Sequence, residues 1–330
     1  MSRTRKVFLP CCLLLFVFLL ACSQTSVTPA EKPVLPMTPT ISVPAEEPFR
    51  IIGYFTEAGI VERVPFDRLT HINYAFILLN EDGSLKPIAN SWKLKNLVKT
   101  AHQNGVRVLP SVGGWGWDAQ FEAMADDPIA RKAFVKNILA VVDEYDLDGV
   151  DIDWEYPDAG QSAKNYAALM HELRLALPEG MLLTAAVPAL GSNADNFLPV
   201  TFADVDFLNV MVYDGDHGAG HSPYQYAVDS LAYWAGQGLQ KEKTVLGVPF
   251  YGHPGSVAYR KLVDEDPSAA QRDSMEYSGA TVYYNGVPTI IEKTKLAMEK
   301  GSGVMFWTLE GDTIDDTSLI RAIFDTAYGK

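Results

Sequence analysis

Eight short runs of apolar, largely β-branched residues recur along this chain, and their alternation with longer amphipathic segments restricts its architecture more than any other feature. The runs are Ile51 to Phe55, Leu69 to Ile77, Val106 to Val112, Gly149 to Trp154, Leu182 to Val187, Phe207 to Tyr213, Thr244 to Pro249 and Gly303 to Trp307. Runs of this kind suit parallel strands covered on both faces. Between them, Trp92 to His102, Ile129 to Tyr145, Ser162 to Leu177, Ala227 to Trp234 and Thr289 to Glu299 carry helical patterns. Eight strand-then-helix units predict an α/β fold, a closed (β/α)8 TIM barrel, over residues 49–330 as one domain. The alternative, an open doubly wound sheet, usually carries a glycine-rich phosphate loop after its first strand. Here the first strand runs into Tyr54-Phe55-Thr56-Glu57-Ala58-Gly59, which offers none. No Walker sequence, zinc-spaced histidine set or G-x-S-x-G elbow occurs elsewhere, so the chemistry is expected from other residues, with no metal and no cofactor.

Residues 1–21 read as a signal peptide. Arg3, Arg5 and Lys6 precede an apolar stretch from Val7 to Leu20, broken only by Pro10 and too short for a stable membrane span. The stretch closes with Leu19-Leu20-Ala21-Cys22, which resembles a bacterial lipobox. That resemblance implies a lipidated Cys22 at the head of the mature chain, secretion, and membrane anchoring by lipid; Ser23 points to the outer membrane in a Gram-negative cell. Cys11, Cys12 and Cys22 are the only cysteines, which excludes disulfides and thiolate-bound metals from the mature fold. Residues 22–48, rich in Pro, Thr and Ser, have the composition of a tether. The net charge of -14, which becomes -17 once residues 1–21 are removed, argues against nucleic acid and anionic lipid headgroups as partners. Nothing suggests an obligate protein partner, and a monomer is expected.

The most informative segment is Asp148-Gly149-Val150-Asp151-Ile152-Asp153-Trp154-Glu155-Tyr156-Pro157. Side chains alternate faces along a strand, so Asp151, Asp153 and Glu155 point to the barrel interior while Val150, Ile152 and Trp154 meet the helices. Carboxylates held this close raise one another's proton affinity. A carboxylic acid kept protonated near neutral pH can deliver a proton to a leaving oxygen. Glu155, last of the three, is expected nearest the carboxyl-end mouth, where barrel active sites sit.

This run resembles the D-x-x-D-x-D-x-E signature of glycoside hydrolase family 18, with every signature position occupied. Ser111-Val112-Gly113-Gly114 resembles the family's S-x-G-G on the third strand, and Met211-Val212-Tyr213-Asp214 its M-x-Y-D on the sixth. The resemblance implies substrate-assisted retaining catalysis, in which the substrate's own 2-acetamido oxygen attacks the anomeric carbon. It assigns proton donation to Glu155 and orientation of the acetamide N–H to Asp153, with Asp151 sharing a proton or hydrogen bond with Asp153. Tyr213 would meet the acetamide carbonyl, and Asp214 would lie near the same sugar and set the acid's environment. Asp148, off the alternating face, is expected to brace the start of the strand.

Carbohydrate clefts use aromatic platforms, and the resemblance places Trp307 beneath the sugar at subsite -1. Tyr54, Phe76, Trp115, Trp117 and Tyr251 are further aromatic candidates, and Gly114 and Met211 complete the expected substrate-binding set. About fifty residues separate the seventh and eighth strands, room for a short hairpin such as Ala280 to Val287 but not for the α+β subdomain that many processive relatives insert there. An open groove and endo-type cutting follow as expectations. The histidines show no metal-ligand spacing and read as core or surface residues, with His217 in reach of the sixth-strand loop. The expected activity is hydrolysis of β-1,4 bonds in chitin or N-acetylglucosamine oligosaccharides. The alternatives are an endo-β-N-acetylglucosaminidase acting on the chitobiose core of N-glycans and a non-catalytic chitin-binding lectin on the same fold. Lectins of this type usually lack the terminal glutamate, which this chain keeps.

Overall fold

The structure, a computed structural model, describes residues 48–329. The signal segment, Cys22 and the tether as far as residue 47 lie outside the described residues. Strands β1 (Arg50–Thr56), β2 (His71–Ile77), β3 (Arg107–Gly113), β4 (Gly149–Asp153), β5 (Leu182–Pro188), β6 (Phe207–Met211) and β7 (Thr244–Pro249) join the last strand, β12 (Gly303–Trp307), in a closed barrel. Every neighbouring pair is parallel, and β1 closes the ring on β12 through Arg50 to Gly53 against Gly303 to Phe306. The expected (β/α)8 class is therefore the observed one.

The period-two alternation divides the core into two layers. Inside the ring lie Ile52, Tyr54, Ala75, Ala186, Phe207, Met211, Val245 and Met305. Outside it, Ile51, Val150, Ile152 and Trp154 pack with the apolar faces of the helices. Trp154 is fully buried, stacks on Phe121 at 5.1 Å and donates its indole N–H to Asp118 at 2.8 Å. Truncating a buried aromatic of this kind costs about 3–5 kcal/mol, so the outward face of β4 anchors the strand whose inward face carries the carboxylates.

The helices are α1 (Ser91–Gln103), α2 (Asp118–Asp126), α3 (Pro128–Tyr145), α4 (Gln161–Ala176), α5 (Tyr224–Gly236), α6 (Tyr259–Glu265), α7 (Val287–Lys300) and α8 (Leu319–Tyr328). Their ends follow local chemistry: Asp127 caps α3 by accepting from Ile129 N–H, with Pro128 in the first turn, and Ser318 caps α8 by accepting from Arg321 N–H.

Two departures from strict strand-helix repetition stand out. After β1 and after β5 the chain makes only short 3-10 turns, at Val61–Arg63, Phe66–Arg68, Ala194–Asn196 and Pro199–Ala203. Pro65 interrupts the first link, and Gly191, Asn193, Asn196 and Pro199 interrupt the second, which discourages a longer helix. The stretch between β7 and β12 also differs in detail from expectation. It holds one two-stranded sheet of β8 (Tyr251–Gly252) with β9 (Val257–Ala258), and a hairpin of β10 (Ser274–Tyr277) with β11 (Ala280–Tyr283). The hairpin thus lies earlier than Ala280 to Val287, because Val287 already opens α7, where Pro288 suits a first helical turn.

Candidate active site

Asp151 is fully buried at the centre of the barrel, and both its oxygens are engaged. Oδ2 accepts from Tyr54 Oη at 2.8 Å and Ser111 Oγ at 2.9 Å, while Oδ1 accepts from Thr184 Oγ1 at 2.5 Å and Asn209 Nδ2 at 3.3 Å. Four donors from β1, β3, β5 and β6 therefore converge on one carboxyl, a contact that only a closed ring makes. Burial pushes its proton affinity up and the four donors oppose that rise. The expected hydrogen bond from Asp151 to Asp153 is not the one seen: Asp151 is occupied by these neighbours and acts on Asp153 through its charge.

Asp153 ends β4, and its Oδ1 is buried with no hydrogen-bond partner among the described residues. Burial, then Glu155 and Asp151, raise it well above the usual carboxylate range. Glu155 follows just beyond the strand end. Burial, opposed by a hydrogen bond from Tyr156 and assisted by the charge of Asp214, lifts its carboxyl to about 7. Asp148 sits apart, bracing the strand start: its Oδ2 accepts from Val108 N–H at 2.7 Å and lies 2.9 Å from His102 Nε2.

Tyr213 and Asp214 extend from the end of β6. The Tyr213 hydroxyl is raised by burial first and then by Tyr251, Asp153 and Glu155, which places it among the same charges. Asp214, in the left-handed region at φ 56°, accepts from Tyr251 Oη at 2.7 Å and His253 Nε2 at 2.9 Å. Burial acts upward on Asp214, but His221, Tyr251 and His253 outweigh it and keep it an anion.

Trp307 terminates β12 and stacks on Phe76 at 5.5 Å and 21°, so the two form one aromatic surface at the mouth. Gly114, at φ +86°, lies against it; a Cβ there would come within 2.5 Å of the Phe76 ring. Met211 is buried at the end of β6. Tyr54 is only 1% exposed and spends its hydroxyl on Asp151, so it lies beneath this surface rather than on it. Trp115 is 79% exposed, and the Trp117 ring is covered by Lys86 Nζ at 4.2 Å. A cavity of about 360 Å³ adjoins Phe76, with Glu57, Lys86 and Trp117 among its walls.

Sequence spacing did not reveal one group. His221, seven positions after Asp214, and His253, thirty-nine positions after it, both turn onto Asp214, and the ligand-capable atoms of the three lie within 4.8 Å of one another. The expectation of unconnected core or surface histidines is corrected here: β6 and β7 are neighbours in the barrel, so the loops after them meet.

The sequence profile described as Glycosyl hydrolases family 18 matches residues 50–312. Among solved structures, a chitinase from Bacteroides thetaiotaomicron superposes with TM-score 0.77 at 29% identity, covering 86% of this chain and 98% of that one. A family 18 chitinase from the chitin utilization locus of Flavobacterium johnsoniae gives TM-score 0.76 at 28% identity, covering 86% and 94%. In sequence, Probable chitinase 10 of Drosophila melanogaster is 30% identical over 252 residues, 64% of this chain and 11% of its own length. Chitinase 1 of Aphanocladium album is 29% identical over 255 residues, and the match spans 60% of each. With the family profile spanning nearly the whole barrel, and with the carboxylate strand and closed ring in place, the chain belongs to glycosyl hydrolases family 18.

Proposed function

We propose that this protein is an endo-acting chitinase that cleaves β-1,4 bonds between N-acetylglucosamine units with retention of configuration. The observation that carries this is the pairing of Glu155, held protonated near neutral pH, with Asp153, whose buried Oδ1 has no partner within the described residues. A buried unpaired carboxyl oxygen is costly unless something else supplies its partner. An acetamido N–H of a bound sugar is such a partner.

In the first step, Glu155 transfers its proton to the glycosidic oxygen as the bond from that oxygen to the anomeric carbon breaks. The acetamido carbonyl oxygen forms a new bond to the anomeric carbon, and Asp153 accepts the N–H of the resulting oxazolinium ion. In the second, the Glu155 carboxylate takes a proton from water, whose oxygen opens the ring from the face the leaving group left. Glu155 is then ready for another cycle, and no protein nucleophile is needed. Tyr213 orients the acetamide carbonyl, Asp214 sustains the acid's proton affinity, and Trp307 with Phe76 supports the sugar. Distorting the pyranose costs about 1–5 kcal/mol, supplied by binding of neighbouring sugars. The short elements between β7 and β12 support an open cleft and internal cutting. Lipidation at Cys22 would place the barrel at a bacterial surface, where polymeric substrate is met.

The test is to incubate the protein with colloidal chitin, chito-oligosaccharides and a high-mannose glycoprotein and to resolve the products by mass spectrometry. Short N-acetylglucosamine oligomers released from the middle of chains are expected. Intact N-glycans would transfer the activity to an endo-β-N-acetylglucosaminidase, and binding without product would leave a lectin.

A further inference from the structure

The geometry points to a transition-metal site built from Asp214, His221 and His253, at which a divalent cation such as Zn2+ binds and restrains the acid Glu155. The consequence for Glu155 rests on the chitinase function proposed above; the site itself does not.

The donor set is one carboxylate and two imidazoles, a combination that suits zinc with a fourth position open to water. Tetrahedral zinc with bonds of about 2.0–2.1 Å separates its ligand atoms by about 3.3 Å. Two of the three separations are already near this: Asp214 Oδ1 lies 3.2 Å from His221 Nδ1 and 2.9 Å from His253 Nε2. The remaining pair, His221 Nδ1 and His253 Nε2, is within 4.8 Å, so a small movement of the His253 ring toward His221 completes the triangle. Exposed His217 lies beside the site, its ring centre 4.8 Å from that of His253.

Surrounding contacts hold these ligands in place. His221 Nε2 faces the Tyr251 carbonyl oxygen at 3.3 Å; donating that N–H leaves the Nδ1 lone pair directed at Asp214, the arrangement in which a carbonyl fixes the tautomer of a metal-binding histidine. The competing partner of that lone pair is the Asp214 amide at 3.2 Å, a long hydrogen bond that a metal would replace. The backbone of His221 is closed on its own loop by Gly215 N–H to His221 O at 3.1 Å. Its neighbour Ser222 is pinned by buried Lys293, whose Nζ donates to Ser222 O, Ser222 Oγ and Asn285 Oδ1, each at 2.7 Å. His253 is held by reciprocal backbone bonds with Tyr283 of 2.9 and 2.7 Å. On binding, His253 exchanges its Nε2 proton for the metal and carries that proton on Nδ1, so no net charge is lost from the ring.

The electrostatic effect on catalysis follows directly. The negative charge of Asp214 helps hold the proton on Glu155. A dication on Asp214 reverses that influence and favours the ionised, inactive acid.

The test titrates Zn2+ by calorimetry into the untagged full chain with Cys11, Cys12 and Cys22 changed to serine, which removes competing thiols. One-site binding is expected, weakened at least tenfold in His221→Asn and His253→Asn and unchanged in His171→Asn. Co2+ added to the unsubstituted site should give the intense visible absorption of a tetrahedral centre, lost on adding equimolar Zn2+; this second measurement stands even where a histidine variant fails to fold. Absence of both saturable binding and the cobalt band, or undiminished binding in both histidine variants, overturns the site. Saturating Zn2+ should lower turnover, with recovery on chelation, and unchanged turnover overturns the link to Glu155. A chain that binds zinc in this pattern yet hydrolyses no substrate overturns the chitinase function and leaves the site standing.

Discussion

Changing Glu155 to Gln exposes a conflict between stability and catalysis whose size can be worked from the site. Folding raises the Glu155 carboxyl from its ordinary 4.5 to about 7, with burial as the main cause. The folded protein therefore holds a proton that the unfolded chain releases between those values, and stability falls as pH rises through this window. At about 1.4 kcal/mol per pH unit, the loss approaches about 3 kcal/mol by pH 7. Gln has nearly the same shape and cannot ionise, so the variant escapes that loss. Asp153 adds in the same sense, because Glu155 is one of the charges raising it. Denaturant unfolding of both proteins at pH 4.5 and pH 8 should show the variant gaining about 3 kcal/mol on the wild type between the two conditions. Its turnover should meanwhile fall by about 10²–10⁴ with the proton donor gone. Stability curves that stay parallel over this range, or undiminished turnover, would refute the assignment of Glu155 as the buried acid.

Asp151→Ala should cost about 3–5 kcal/mol by denaturant unfolding, since it strands four donors from Tyr54, Ser111, Thr184 and Asn209 in the barrel interior; a loss under 1 kcal/mol would show that these groups find other partners. Gly114→Ala should raise KM on chito-oligosaccharides, because the added methyl meets the Phe76 ring at 2.5 Å and disturbs its stacking with Trp307; an unchanged KM would remove that aromatic pair from the binding surface. Cys22→Ser should move the protein from the membrane to the soluble fraction of expressing cells, and persistent sedimentation with membranes would exclude lipidation at this residue.

The parts of the site legible in the sequence are those that one strand encodes alone. Period-two alternation suffices to send Asp151, Asp153 and Glu155 to one face and Trp154 to the other, and burial of Trp154 against Phe121 agrees. Asp148 was legible as a brace because it stands outside that alternation. Tyr54 was harder, since an aromatic on an inward strand position reads equally as a sugar platform or a buried donor, and only its 2.8 Å bond to Asp151 separates the two. The helices missing after β1 and β5 were hidden because strand counting is insensitive to what links the strands.

The sequence by itself determined the barrel, because strand patterning and turn chemistry are local properties, and it determined which carboxylates share the inward face of β4. The tertiary structure decided how those carboxylates are used. Asp151 became a structural hub and Asp153 the group with a free oxygen because donors from β1, β3, β5 and β6 reach the first and none reaches the Oδ1 of the second. It likewise brought His253 onto Asp214 and His221, since β6 and β7 pair as neighbours and set the loops after them side by side. Proton affinity and metal-ligand geometry depend on distances between groups far apart along the chain, and those distances exist only once the barrel has closed.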